Sequence, residues 1–121
     1  MLIYHITSRK EWDAAQPTGE YRAESLATQG FIHASKREQV TKVANAVYLG
    51  KSDLVLLGID TDKLKAELRE EPPDTKVPAA HYDGELFPHI YGPLNVDAVV
   101  QVVNFPAGED GTFAFPAALE A

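Results

Sequence analysis

The chain contains no cysteine. That removes disulfides, thiol nucleophiles, zinc ribbons and Cys-x-x-Cys redox chemistry at once. Positive charge is also scarce: 11 Lys and Arg stand against 18 Asp and Glu, for a net charge of −7. Such a surface lacks the cationic field that phosphate backbones need, so long nucleic acids are not expected partners. A small phosphorylated ligand needs only a local positive site and stays compatible. No apolar run approaches the ~20 residues of a membrane span. The opening Met1–Leu2–Ile3–Tyr4–His5 has no basic stretch followed by a long apolar one, as a signal peptide would. The expectation is a cytoplasmic monomer with no membrane partner. Gly-x-Ser-x-Gly, Walker and Gly-x-Gly-x-x-Gly motifs are all missing. This disfavours an α/β-hydrolase, a P-loop enzyme and a doubly wound dinucleotide fold.

What is present suits one globular domain of 121 residues, 45% of them hydrophobic, with its core over about residues 2–115. Leu2–Ile6 reads as a strand, followed by a capping box at Ser8–Glu11 and a short helix carrying Trp12 and Ala15. Glu20–Ala23 reads as a short strand, and Glu24–Gln29 as a helical segment closed by Gly30. Phe31–Ala34 is the next strand, with a second capping box at Ser35–Glu38. Behind it Val40, Val43, Ala44, Val47 and Tyr48 form one apolar helical stripe ended by Gly50. Leu54–Ile59 is continuously apolar, as in a central buried strand. Ala66–Glu71 alternates like a strand, with Ala66, Leu68 and Glu70 against Glu67, Arg69 and Glu71. Pro72–Gly84, which includes His81, reads as a loop. Leu86–Gly92 is a strand whose Pro88 suggests an edge position or the start of pairing. Asn95–Ala98 turns, Val99–Phe105 is a long strand, and Thr112–Phe115 is a candidate for pairing back. Helices come early and strands dominate late. The expected class is α+β, with mixed or mostly antiparallel sheets and two to three short-to-medium helices.

Three of the four histidines carry a hydroxyl residue two positions later: His5 with Thr7, His33 with Ser35, and His89 with Tyr91. In a strand, residues i and i+2 share a face. Each pair therefore presents an imidazole beside a hydroxyl, and neighbouring strands would bring the pairs onto one wall. Such pairs suit ribose or phosphate, since both group types donate and accept hydrogen bonds. A carboxylate on an imidazole Nδ1 would make that histidine a base. Basic pairs stand at the two capping boxes, Arg9–Lys10 and Lys36–Arg37. Cations in a first helical turn oppose the macrodipole, so an anion at those ends would account for them.

The segments Tyr4–Thr7, Gly30–Ser35 and Phe87–Leu94 together resemble a small bacterial and plant family known as domain of unknown function 952. The likeness runs from about Leu2 to Phe115. The family pattern is similar to a compact ADP-ribosyltransferase domain, closest in kind to the RNA 2′-phosphotransferases. That resemblance implies an enzyme using NAD or a related nucleotide as substrate, with no metal. It implies that His5 and Thr7 hold a ribose, while His33 and Ser35, with the helix end through Arg37, hold phosphate. His89 would be the acid, base or cation stabiliser. The expected catalytic set is His5, His33 and His89. The expected substrate-binding set is Thr7, Ser35, Tyr91, Arg22, Ser25 and Arg37. Such folds usually supply a glutamate on the later strand; here that strand carries His89 and Tyr91, with Glu85 just upstream. Arg9 and Arg22 are the nearest matches to phosphotransferase arginines. Two other readings stay open: a non-catalytic nucleotide- or anion-binding module, and a metal-dependent hydrolase on a three-His face.

Overall fold

The computed structural model describes residues 1–72 and 85–119. Its strands are Leu2–Ser8 (β1), Glu20–Tyr21 (β2), Ile32–His33 (β3), Leu54–Asp60 (β4), Glu67–Glu71 (β5), Phe87–Tyr91 (β6), Leu94–Asn95 (β7) and Val99–Asn104 (β8). Its α-helices are Arg9–Ala15 (α1), Glu24–Gln29 (α2) and Val40–Val47 (α3). The strands form three antiparallel sheets, in the orders β1-β4-β8, β2-β7 and β3-β6-β5. The class is α+β, as the early helices and late strands predict. No helix among the described residues is long and apolar enough to cross a membrane.

The apolar run of β4 is central because it feeds two cores. Val55, Leu57 and Ile59 join Ile3, Trp12, Ile32, Ile90 and Leu94 in one cluster. Leu54 and Leu56 face the other way, into a cluster with Tyr4, Ile6, Val40, Ala44 and Phe105. Each fully buried Leu or Ile stabilises the fold by about 1.5–3 kcal/mol. Strand β1 alternates likewise: Ile3 points to the first core, Tyr4 and Ile6 to the second. Where β4 meets β8 the register shifts at Gly58. A Cβ there would sit 2.5 Å from the Gln101 Oε1, so glycine lets the edge strand close up.

Several local expectations hold. Ser8 Oγ accepts from the Glu11 N–H at 3.1 Å and starts α1. Helix α2 has the expected bounds, and Gly30 at φ +88° sends its N–H to the carbonyls of Ser25 and Leu26. The apolar stripe of α3 is divided: Val40 and Ala44 enter the core, while Val47 stays exposed.

Other expectations are corrected. Ser35 does not cap a helix. Its backbone N–H and C=O pair with Tyr4, both at 2.8 Å, in an isolated bridge. The cap falls one residue later, where the Gln39 Oε1 accepts from the Lys36 N–H at 2.9 Å, and a 3-10 turn over Arg37–Gln39 leads into α3. Of its two expected positions Pro88 takes the start of pairing, and strand β6 is not an edge strand. It lies between β3 and β5, and Pro88 is tolerated because only its carbonyl is used there, accepting from Ala34 at 3.1 Å where the short β3 stops. Thr112–Phe115 forms no strand. The Phe113 backbone instead exchanges two hydrogen bonds with the Asn45 side chain, which holds the segment against α3. The loop expected over Pro72–Gly84, with His81, lies outside the described residues from position 73 onward.

Gln39 joins the turn to β6. It is buried, accepts from Lys36, and donates to the Leu86 carbonyl at 2.8 Å and the Glu85 carboxylate at 2.9 Å. Truncation leaves buried polar groups without partners. Gln39→Ala is expected to cost about 3 kcal/mol of unfolding free energy. Urea unfolding with an unchanged midpoint would refute this.

Candidate functional site

A cleft of about 640 Å³ opens between β1 and the pair β3 and β6, a volume in the range of small-molecule sites. Strand β1 contributes His5 and Thr7, the bridge region His33 and Ser35, and β6 Phe87 and His89. Helix α2 adds Ser25, Thr28 and Gln29; Val43, Val47 and Tyr48 form an apolar side. The outer edge of the α3 stripe is thus a cleft wall. Convergence follows from pairing: His33 stands opposite His89 in the β3–β6 ladder, and Tyr4 opposite Ser35 in the bridge to β1. Paired residues in an antiparallel ladder share a face, which sets the His33 and His89 rings side by side, and the bridge holds this region next to β1.

His5 is buried, and both its ring nitrogens are engaged. Nδ1 donates to the His33 carbonyl at 2.5 Å, and Nε2 lies 2.9 Å from the Tyr21 hydroxyl. That hydroxyl is 2.9 Å from Thr7 Oγ1, which donates to the Glu11 carboxylate at 3.2 Å. Burial lowers the His5 pKa to about 4 and raises that of the Tyr21 phenol to about 12. His33 donates from Nε2 to the Gln29 Oε1 at 2.7 Å.

His89 is held differently. Its Nδ1 donates to Glu71 Oε1 at 2.9 Å, and the same oxygen accepts from the Tyr91 hydroxyl. These two bonds, Tyr91 first, hold the Glu71 carboxyl below the usual carboxylate range. Phe31 stacks on the His89 ring at 4.1 Å and 17°. The carboxylate fixes the tautomer and the stack fixes the plane. Nε2 then remains as the acceptor of a ring that lines the cleft, with no partner among the described residues. The histidine rings do not converge as a metal ligand set; among the described residues no group of three His, Asp or Glu could hold an ion.

The structure brings His5, His33, His89, Thr7, Ser35 and Ser25 to one cleft and places the other expected residues elsewhere. Tyr91 turns to Glu71, with the Arg69 guanidinium 4.4 Å over its ring. Arg22 is exposed and pairs with Glu20 at 3.1 Å. Arg37 lies 4.3 Å over Phe115, and Arg9 donates to Asn104 at 2.6 Å. Lys36 pairs with Glu70 at 3.0 Å. Glu85 faces Lys42 at 2.5 Å and Gln39, away from the cleft. The two residues missed by sequence reasoning are Glu71 and Tyr21. For Glu71 a signal existed: the alternation of β5 puts Glu67, Arg69 and Glu71 on one face, and pairing with β6 sets that face beside His89.

The depressed His5 pKa has a sign for stability. The unfolded chain binds more protons than the folded one between about pH 6.5 and 4, so stability falls as pH falls through that window. The full loss is on the order of 3 kcal/mol. Thermal melts at successive pH values should show this acid limb, and His5→Gln should flatten it. An equally steep limb in the variant would refute the assignment.

Comparison with known proteins agrees with this architecture. The crystal structure of protein CC0527 from Caulobacter crescentus superposes with a TM-score of 0.82 at 32% identity, covering 100% of both chains. A double methionine mutant of CC0527 gives 0.81 at 31% identity, also covering 100% of both chains. The solution NMR structure of CC0527 gives 0.67 at 32% identity, covering 92% of this chain and 90% of that one. No curated protein matches. The family model described as "Protein of unknown function (DUF952)" matches residues 6–102, and with that span the chain belongs to the DUF952 family.

Proposed function

We propose that the cleft binds a nucleotide through a ribose, and that the chain acts on it as an ADP-ribosyltransferase-like enzyme with NAD as the substrate class. The observation that carries this reading is the His89–Glu71 dyad at the edge of a cleft lined with hydroxyl and imidazole groups. A histidine with a carboxylate on Nδ1 and an open Nε2 is built to take or give a proton. Ser35 and the neighbouring His33 supply polar groups of the kind that recognise ribose hydroxyls.

Among the described residues, the charged ones lining the cleft are Glu11, Glu24 and Lys51, with no arginine. That balance supports placing the uncharged ribose there rather than the pyrophosphate. In the proposed reaction an acceptor hydroxyl attacks C1′ of the ribose and the bond to nicotinamide breaks. The hydroxyl proton passes to His89 Nε2, and neutral nicotinamide leaves.

One observation favours a second reading, a binding module without chemistry. Glu71 is committed to His89 and Tyr91, so it does not stand where a carboxylate would stabilise a ribosyl cation. Incubation with NAD separates the two. Released nicotinamide supports the enzyme; saturable binding with NAD intact supports the module.

Wild-type protein should gain thermal stability with NAD or ADP-ribose, by mass action. His89→Ala should lose nicotinamide release, and Glu71→Gln should lower it by about 10- to 100-fold with little change in binding. No thermal shift with NAD, ADP-ribose or any nucleoside would sink both readings.

A further inference from the structure

The hydrogen-bonded network on the β1 side of the cleft has a definite proton count. Its four contacts run from Glu11 Oε2 to Thr7 Oγ1 (3.2 Å), to Tyr21 Oη (2.9 Å), to His5 Nε2 (2.9 Å), and from His5 Nδ1 to the His33 carbonyl (2.5 Å). A carbonyl only accepts, so Nδ1 carries a hydrogen. A neutral ring then offers Nε2 as an acceptor. With Glu11 ionised, the three remaining contacts share only two hydrogens, those of Tyr21 and Thr7. One of the three is always left without one.

A single added proton completes the set in either of two ways. On Glu11, the carboxyl donates to Thr7, Thr7 to Tyr21, and Tyr21 to His5. On His5, Nε2 donates to Tyr21, Tyr21 to Thr7, and Thr7 to the carboxylate. The two arrangements interconvert when three hydrogens shift together. The Glu11, Thr7 and Tyr21 O–H bonds break, new O–H bonds form on Thr7 and Tyr21, and an N–H forms on His5. A neutral carboxyl and a neutral imidazole become a carboxylate and an imidazolium, so atoms and charge balance.

We propose that Glu11, Thr7, Tyr21 and His5 form a proton relay that takes up one proton as a unit and links the exposed carboxyl of α1 to the cleft wall on β1. All four residues line the cleft, so the relay is a second proton-handling device there, separate from His89 and Glu71. The proposal does not depend on which ligand the cleft takes. Other polar groups stand near it among the described residues. His33 on β3 acts on His5, and Tyr48 at the end of α3 acts on Tyr21. Glu24 of α2, Lys51 and His89 of β6 line the same cleft. Interacting groups of this kind titrate with values that belong to the set, not to one member.

The test is NMR on the purified full chain with labelled histidine and glutamate. At neutral pH the His5 ring nitrogens should report the Nδ1–H tautomer. On acidification the His5 nitrogens and the Glu11 carboxyl carbon should move with one shared midpoint. Tyr21→Phe, which cuts the relay in the middle, should split that midpoint by about one pH unit or more. Thr7→Val, which detaches Glu11 but keeps the Tyr21–His5 contact, should split it as well. Separate midpoints in the wild type overturn the relay, as does an Nε2–H tautomer. A shared midpoint that survives in a folded variant overturns it too. Should both variants unfold, the wild-type tautomer and midpoint decide alone.

Discussion

The hydrogen bond from His5 Nδ1 to the His33 carbonyl, with the Tyr4–Ser35 bridge beside it, is what brings two sheets together at the cleft. Strands β1 and β3 belong to different sheets. The backbone bridge holds them at one residue pair, and the imidazole adds a side-chain strap at the next. His33 and Ser35 follow wherever that strap places β3, and His89 follows His33 through the β3–β6 ladder. A buried, neutral ring suits this use, because a charged one would oppose its own burial.

The three histidines look alike in sequence and are sorted by their surroundings. His5 is buried between the His33 carbonyl and Tyr21 of β2 and serves as a joint. His33 is turned toward α2 by Gln29. His89 has a carboxylate behind it and an aromatic ring against it, yet keeps one nitrogen for the cleft. Identical local spacing therefore yields three different sets of partners. What differs is the long-range partner of each ring, and no i+2 pattern contains that information.

This marks how far the sequence could be read. Alternation in β1, the apolar run of β4, the Ser8 cap and the Gly30 stop are local signals, and each appears where expected. The shared face of His5 with Thr7 and of His33 with Ser35 was equally legible. Tyr91 also shares the His89 face. It leaves the cleft because Glu71, on the neighbouring strand, takes its hydroxyl. Glu71 and Tyr21 were harder to see, since each reaches its histidine across a strand pairing or a packing contact set by the whole fold. The capping error at Ser35 has a similar origin. A tertiary bridge to Tyr4 took the backbone that a local helix start would have used.

Strand β1 also carries an unusual burden of information. Its odd positions supply Ile3 to one core and the polar His5 and Thr7 to the cleft, while Tyr4 and Ile6 pack into the other core and border the cleft from there. Sliding this segment by one residue exchanges the two sets completely, because side chains alternate with period two. His5 and Thr7 would then enter the second core, and Tyr4 and Ile6 would leave it. Inserting or deleting a single amino acid between Ile3 and Thr7 is therefore far more damaging to this protein than most substitutions within the same stretch.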